Sequence, residues 1–255
     1  MKISEKKLFG LFVLTLFLFL SVVAAAWSGY KRISVQLAAL KSGLASRKDC
    51  IPPLFASKHA ALRKHFALDQ ISQADQGFIL IIGDSIVEGM NLPSIAGIPV
   101  INAGMGGGGI LDARELIAKI KSGTSPNGVL IAIGVNDAIR GGGASPNYSA
   151  QWESVMRDTI SRAKALAGDK VAVSTVIPVE KGKPLGDQYF DPQKIDEINR
   201  IIRKVCAESK ITLIDQSASF IGLTGSGVEY TTDGVHLNNT GYRLMKSNIR
   251  KSIQW

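Results

Sequence analysis

The sequence predicts an α/β protein built on a doubly wound parallel sheet of five strands. Apolar runs of strand length alternate with longer stretches that have helical spacing and mixed charge. Runs without polar interruption are typical of strands buried on both faces of a parallel sheet. Repeated strand–helix units favour a sheet that carries helices on both sides. The predicted strands are residues 78–82, 98–102, 128–133, 170–176 and 211–215.

The chain divides into three predicted segments. Residues 1–32 form an N-terminal anchor or signal segment, residues 33–75 a helical stalk and lead-in, and residues 76–255 the main domain. Pro52 and Pro53 interrupt the lead-in, because proline ends a helix. With 255 residues, 45% of them hydrophobic, the chain is long enough for one domain with a large core plus a short extra segment.

The first segment is predicted to cross or enter a membrane. Three lysines precede an uncharged apolar run over residues 8–26, and Lys31 and Arg32 follow it. A run of 19 residues is about long enough to span a bilayer as a helix. Since a positively charged N-terminus stays on the cytoplasmic side, the main domain is expected outside the cytoplasm, in the periplasm or at the cell surface.

Two other interpretations of this segment remain open. The small residues 24–26 offer a cleavage site, so the run is also compatible with a signal peptide that releases a secreted protein. A buried core helix is the third alternative. The length of the run and the flanking Trp27 and Tyr30, which are typical of membrane interfaces, favour a retained anchor.

Charge and cysteine usage exclude several functions. The formal charge is +9, of which residues 1–32 contribute +4. The rest forms no dense basic cluster, so a nucleic-acid partner is not expected. Cys50 and Cys206 either form a disulfide or are two buried thiols, and their spacing is unlike a zinc site. We therefore expect neither a metal nor a cofactor.

The first strand is followed by a candidate nucleophile. The apolar run ends at Gly83, and Asp84 and Ser85 come next. Ligands of open α/β sheets bind beyond the carboxyl ends of the strands, which is where this serine is expected. Gly-Asp-Ser is also an ordinary turn, so the serine alone does not establish a function.

A glycine-rich stretch follows the second strand and precedes a helix. Residues 104–109 satisfy Gly-x-Gly-x-x-Gly, but the acidic residue that a dinucleotide site needs is missing from residues 124–133. We predict instead that backbone N–H groups here approach a substrate oxygen, helped by the positive end of the helix. A merely flexible loop is the alternative.

Two later stretches supply possible partners. Asn136 follows the third strand, where its side-chain N–H could act as an oxyanion donor, although asparagine is also a common turn residue. Asp233 and His236 lie three residues apart before the last helix, so the carboxylate can bind Nδ1–H and leave Nε2 free to take a proton. The intervening loop, residues 178–192, is either a substrate wall or a plain surface loop.

The lead-in contains two further histidines, His59 and His65. No motif places a serine or carboxylate beside either of them. We therefore interpret both as solvated or packed residues of a helix.

Four short blocks, in this order along the chain, resemble the SGNH (GDSL-type) hydrolase family. They are Gly83-Asp84-Ser85-Ile86, Asn102-Ala103-Gly104, Gly134-Val135-Asn136-Asp137 and Asp233-Gly234-Val235-His236. The resemblance spans most of the part beyond the lead-in. Val87 stands where the larger α/β-hydrolases have the second glycine of Gly-x-Ser-x-Gly, which argues against that fold.

The resemblance implies a flavodoxin-like three-layer α/β/α sandwich and the hydrolysis or transfer of acyl esters. It implies that Ser85 is the nucleophile, that His236 and Asp233 complete a triad, and that Ser85, Gly104 and Asn136 form the oxyanion hole. The leading hypothesis is an envelope esterase that acts on acetylated glycans or lipid acyl chains. An O-acyltransferase with the same acyl-serine intermediate and a catalytically inactive binding module are the alternatives.

Overall fold

The computed structural model describes Trp27 and residues 58–255, apart from residues 75–76, 122, 143–146 and 224–225. By its contacts the chain divides into the units Met1–Asp49 and Cys50–Trp255, and the fold below is that of the second unit. The predicted anchor run, residues 8–26, lies outside the described part, as does Cys50. No helix among the described residues combines the length and the apolarity needed to cross a bilayer.

A six-stranded mixed sheet forms the centre of the domain. Its order is β2-β3-β1-β4-β5-β6, and all neighbouring strands are parallel except β2, which is antiparallel to β3. The five parallel strands correspond to the five predicted runs. The strands are β1 Ile79–Gly83, β2 Ser94–Ile95, β3 Ile98–Gly104, β4 Gly128–Ala132, β5 Val171–Ser174 and β6 Thr212–Ile214.

The edge strand β2 was not predicted, so the expectation of a five-stranded, purely parallel sheet is incomplete. Two residues are too few to produce a period-2 pattern. The hairpin to β3 turns at Ala96 and Gly97, which both have positive φ values, 50° and 83°. This is the type I′ geometry that matches the twist of paired strands.

Seven helices and a short 3₁₀ segment, Asn136–Ala138, accompany the described strands. The helices are α1 Lys58–Gln73, α2 Ser85–Glu88, α3 Ile110–Ala118, α4 Tyr148–Ala167, α5 Pro192–Ser209, α6 Gln216–Ile221 and α7 Asn239–Ser252. The sequence predicts helices over residues 110–121, 148–167 and 193–209, and α3, α4 and α5 agree with them to within a few residues. Helices α2 and α6 were not predicted because they are only one to two turns long.

Strand order determines which face each helix covers. The connections that contain α3, α4 and α5 all advance in one direction across the sheet, and these helices pack side by side. Because such crossovers are right-handed, the three helices share one face, and the reversed connection from β1 to β3 places α2 on the other. Among the parallel strands alone the order is 2-1-3-4-5, the flavodoxin-like arrangement, and its switch point lies beside β1.

The core is apolar and continuous on both sides of the sheet. Every residue of β1, β4 and β5 is buried. Trp152 and Phe220 are the largest fully buried side chains. Cys206 is a free, buried thiol in this core, and burial raises its pKa to about 12.

Candidate active site

Ser85 lies at the turn between β1 and α2. Gly83 allows this turn, since a Cβ at its position would lie 2.2 Å from Val87 Cγ2. Asp84 is the N-cap of α2, and its carboxylate accepts a hydrogen bond from the Ile86 N–H at 2.9 Å. Ser85 is therefore the first residue of a helix whose end N–H groups face the carboxyl edge of the sheet.

A chain of two hydrogen bonds joins the three predicted triad residues. The distance from Ser85 Oγ to His236 Nε2 is 3.0 Å, and that from His236 Nδ1 to Asp233 Oδ2 is 2.6 Å. The His236 side chain is 43% exposed, so the imidazole is open to an incoming molecule. This is the geometry in which an imidazole accepts the serine proton while a carboxylate holds the opposite ring nitrogen.

Asp233 is oriented by its own loop. Its Oδ1 accepts hydrogen bonds from the backbone N–H groups of Val235 and His236, at 3.0 and 2.8 Å. Partial burial would raise the pKa of Asp233, but the hydrogen bonds from the His236 side chain and from the two backbone groups outweigh it and hold the pKa below its usual value. The carboxylate is therefore ionised at neutral pH.

The loop of residues 178–192 supports the loop that carries Asp233 and His236. The Leu185 N–H donates to Asp233 O at 2.8 Å, and the Glu180 N–H donates to Gly234 O at 2.9 Å. The Glu180 carboxylate accepts the N–H groups of Tyr230 and Thr231 at 3.2 and 2.8 Å. The loop thus supports the His236 side of the site, a role that neither sequence interpretation included.

Asn136 follows β4 at the start of the 3₁₀ segment, and its side chain is buried. Its Nδ2 donates to Gly108 O at 2.9 Å. A side-chain amide has two N–H donors, so one remains for another acceptor. The bond brings the end of β4 and the glycine-rich stretch together.

The Gly104 N–H has a different partner from the predicted one. It donates to Asn102 Oδ1 at 2.9 Å, within its own strand end. A Cβ on Gly104 would lie 2.1 Å from Glu88 N, so glycine is needed for the close approach of β3 and α2. The geometry therefore supports a packing role for Gly104 rather than an available donor.

Gly107 is a donor that the sequence analysis overlooked. Residues 105–108 form a β-turn closed by a bond from the Gly108 N–H to Met105 O at 2.8 Å, and Gly107 has a φ of 76°. Gly107 is exposed, and its N–H donates to no residue in the described part of the chain. Because all four residues 106–109 are glycine, the sequence does not show which of their N–H groups is available as a donor.

Two buried carboxyl groups lie beneath the site. Burial raises the pKa of Asp84 to about 6, although a hydrogen bond from Ile86 and the nearby His236 oppose the shift. Burial also raises the pKa of Asp137, to about 7. Asp137 Oδ2 accepts the Ile110 N–H at 3.0 Å and so caps α3, while its Oδ1 accepts no hydrogen bond within the described residues.

The comparisons with known proteins agree with this geometry. The sequence model of the GDSL-like Lipase/Acylhydrolase family matches residues 81–244. No curated protein matches the chain. Several solved structures share the fold at 19–22% identity, which is a level that shows the fold alone.

The lipase/acylhydrolase from Enterococcus faecalis is 22% identical, with a TM-score of 0.59 over 71% of this chain and 95% of its own. An acetyl xylan esterase is 20% identical, with a TM-score of 0.58 over 70% of this chain and 100% of its own. An acetylxylan esterase from Geobacillus stearothermophilus is 19% identical, with a TM-score of 0.56 over 70% and 94%. With its family model matched over more than half of its length, the chain belongs to the GDSL-like lipase/acylhydrolase family and is a carboxylic ester hydrolase.

Proposed function

We propose that the protein is a serine esterase of the cell envelope that hydrolyses acyl esters through Ser85, His236 and Asp233. The observation that carries this proposal is the unbroken hydrogen-bond chain from Ser85 Oγ through the imidazole to Asp233. A serine hydroxyl is a weak nucleophile until a base takes its proton. Among the described residues, no other histidine hydrogen-bonds a serine.

In the proposed reaction, Ser85 Oγ forms a bond to the acyl carbon while its proton moves to His236 Nε2. Asp233 stabilises the imidazolium that results and keeps the ring in the required tautomer. Collapse of the tetrahedral intermediate breaks the bond to the leaving alcohol, which takes the proton from His236. Water then attacks the acyl-serine with the same base, which releases the acid and restores Ser85.

The oxyanion would be bound by three donors. The Ser85 N–H belongs to the first turn of α2, where N–H groups have no partner within the helix. Asn136 contributes the second N–H of Nδ2. We propose Gly107 as the third donor in place of Gly104, because the carbonyl that holds Asn136 belongs to the next residue, Gly108. Loss of one such donor typically costs about 10²–10³ in rate.

The proposed substrates are small acyl esters, above all acetyl groups on a glycan. This substrate class is supported by the acetyl xylan esterases among the structures that share the fold. Lipid acyl esters remain within the proposal, since His236 and Ser85 are open to solvent.

We also propose, from the sequence of residues 1–32, that an N-terminal helix holds the protein at a membrane with residues 76–255 outside the cytoplasm.

The decisive experiment measures acyl release by the full-length chain from p-nitrophenyl acetate, longer-chain esters and acetylated glycans. We expect turnover that Ser85→Ala and His236→Ala abolish. Ser72→Ala is the control, because within the described part of the chain the Ser72 hydroxyl bonds only the Asp69 carbonyl of its own helix. A fluorophosphonate should label the wild type and the control but not Ser85→Ala.

Other outcomes would redirect the proposal. Slow release that rises when a sugar acceptor is added would identify an O-acyltransferase. Neither turnover nor labelling on any ester would contradict the catalytic roles and leave an inactive binding module.

A further inference from the structure

Helix α1 lies outside the residues that the family model matches, since it ends at Gln73 and the match begins at residue 81. It nevertheless packs against β3, the strand that leads into the glycine-rich stretch. Three of its basic side chains contact either the glycine-rich stretch or a carboxylate that is hydrogen-bonded to it. They are His59, Arg63 and Lys64.

Glu88 connects the nucleophile helix to the glycine turn. It stands three residues after Ser85, at the last position of α2. Its Oε2 accepts the Gly106 N–H at 2.6 Å, and His59 Nε2 lies 2.8 Å from Oε1. Arg63 Nε is 3.4 Å from the same Oε1. One carboxylate thus contacts the turn on one side and α1 on the other.

The two ends of the turn are tied to α1 as well. Arg63 Nε donates to Gly104 O at 3.0 Å, at the point where β3 ends. The buried Lys64 ammonium donates to Asp112 Oδ1 at 3.1 Å, and Asp112 Oδ2 accepts the Gly109 N–H at 3.1 Å. Helix α1 therefore holds residue 104 directly through Arg63. It holds residues 106 and 109 indirectly, through the carboxylates of Glu88 and Asp112.

External support matters here because glycine has no side chain with which to pack. A run of glycines loses more conformational freedom on ordering than other residues do, so it adopts one geometry only when its neighbours impose it. Gly107, the exposed residue with the unpartnered N–H, lies between the supported positions 106 and 109. A shift of about 1 Å in a group that stabilises the transition state can cost about 10² in rate.

We propose that α1 is a positioning element of the active site, in which Glu88, held by His59 and Arg63, fixes the Gly106 amide and with it the Gly107 N–H that faces the oxyanion. The inference rests on the proposed function of the glycine turn. It extends the functional unit beyond the family domain to residues 58–73.

The ion pairs that Glu88 forms with α1 are too exposed to be important for folding stability, whereas its hydrogen bond from the partly buried Gly106 N–H contributes to it. The Glu88 side chain is 23% exposed and that of His59 is 56% exposed. Ion pairs of this kind contribute little to stability, because solvent and salt screen them and their long side chains lose conformational freedom on pairing. An effect of Glu88 on the rate that is larger than its effect on stability would therefore report on positioning.

The first test compares Glu88→Ala with Glu153→Ala in the full-length chain. Glu153 is a matched control because it too pairs with two basic side chains, Arg157 and Lys204, and is 21% exposed. We expect Glu88→Ala to lower kcat about tenfold or more with KM within about twofold, whereas Glu153→Ala leaves kcat unchanged. Glu88→Gln should restore most of the rate, since its oxygen can still accept the Gly106 N–H.

A tetrahedral-adduct inhibitor such as a boronic acid gives an independent readout. Its affinity depends on the oxyanion donors, so Glu88→Ala should weaken it by the same factor by which kcat/KM falls. Equal losses in Glu88→Ala and Glu153→Ala, or a loss of kcat that follows the melting temperature in both, would overturn the positioning role.

The second test addresses α1 itself through its two histidines. His59 contacts Glu88, whereas His65 pairs with Asp69 on the exposed side of the same helix. We expect His59→Ala to lower kcat several-fold and His65→Ala to have no effect. Equal behaviour of the two variants would contradict the inference. Full activity in Ser85→Ala would contradict the proposed function itself. The Glu88 and His59 variants, compared with their controls, test only the role of α1.

Discussion

Two loops lie beside Ser85, one with Asp233 and His236 and one with the glycine turn. In both loops carboxyl groups accept backbone N–H groups, but in different surroundings. The loop of residues 231–236 is held by Glu180 and by Asp233, whose pKa values lie below their usual range because hydrogen bonds outweigh the effect of burial. At the glycine turn, residues 104–109, the carboxyl group that caps the following helix is Asp137, and burial raises its pKa to about 7.

The two halves of the site therefore differ in the charge state that their buried or partly buried capping carboxyl groups favour. The His236 half needs ionised carboxylates with several donors each. In the glycine half, Asp137 is buried and its protonated form is favoured. Glu88 in the same half pairs with His59 and Arg63 of α1, and its side chain is 23% exposed. We therefore expect substitutions, changes of pH and changes of salt concentration to affect the two halves of the site differently.

The largest effect is expected from Asp233→Asn, which keeps the shape of the His236 half but removes its charge. The amide no longer selects the tautomer that leaves Nε2 free, and it does not stabilise the imidazolium. We expect kcat to fall by about 10⁴, measured on p-nitrophenyl acetate. Asp187→Asn, in the loop of residues 178–192, should change kcat little, because among the described residues its carboxylate accepts only the exposed Gly182 N–H, at 3.3 Å. Retention of more than a tenth of the rate by Asp233→Asn would argue against its role.

Glu180→Ala should destabilise the His236 half. It leaves the N–H groups of Tyr230 and Thr231 without an acceptor in a partly buried place, and each such loss costs about 1–3 kcal/mol. We expect the free energy of unfolding in urea to fall by about 2 kcal/mol or more. Glu229→Ala is the control, since this exposed side chain is 3.5 Å from Lys183. Equal stability of the two variants would show that the backbone bonds of the loop of residues 178–192 suffice.

Asp137→Asn should change how stability depends on pH. The folded protein holds the Asp137 proton up to about pH 7, whereas an unfolded chain releases it near the ordinary value of 3.8. Stability should therefore decline as the pH rises through this window, and the Asp137→Asn variant should decline less. Glu180, whose pKa is lowered, contributes stability that is present above its ordinary value of 4.5 and is lost on acidification. Identical profiles for wild type and Asp137→Asn between pH 4 and 7 would contradict this account.

Salt should have the smallest effect and should act on the glycine half. Raising the ionic strength from about 0.1 to 1 M shortens the screening length from about 10 to 3 Å and weakens exposed ion pairs. We expect kcat of the wild type to fall by less than about twofold, and we expect Glu88→Ala to show no such fall. A salt effect of the same size in both proteins would show that it does not arise from the ion pairs of Glu88.

Residues near one another in sequence carry both the strands that the structure confirms and the motifs of the proposed site residues. The five parallel strands are apolar runs of ordinary length, and Ser85, Asn136 and His236 stand in short motifs at strand or helix ends. The elements that were missed, β2, α2 and α6, are too short to produce a periodic signal. Gly104 was assigned as a donor because its motif fits, but Asn102 in the same motif occupies its N–H.

The supporting residues could not be predicted because their partners are distant in sequence. His59 and Glu88 are 29 positions apart, and Glu180 is 51 positions from Thr231. Neither pair lies in a motif. His59 was interpreted as an unremarkable helix residue because nothing next to it in the sequence is a carboxylate, whereas the packing of α1 on β3 brings Glu88 to it.

The sequence by itself determined the strands, the main helices and the residue types available for ester hydrolysis, since local periodicity and turn chemistry depend on neighbouring residues. Only the tertiary structure decided which groups meet. Strand order brings Ser85 to within 3.0 Å of His236 across 151 positions. The fold also pairs the Gly104 N–H with Asn102, leaves the Gly107 N–H without an acceptor among the described residues, and packs α1 against β3. These outcomes depend on distances through space, which periodicity and motif spacing do not encode.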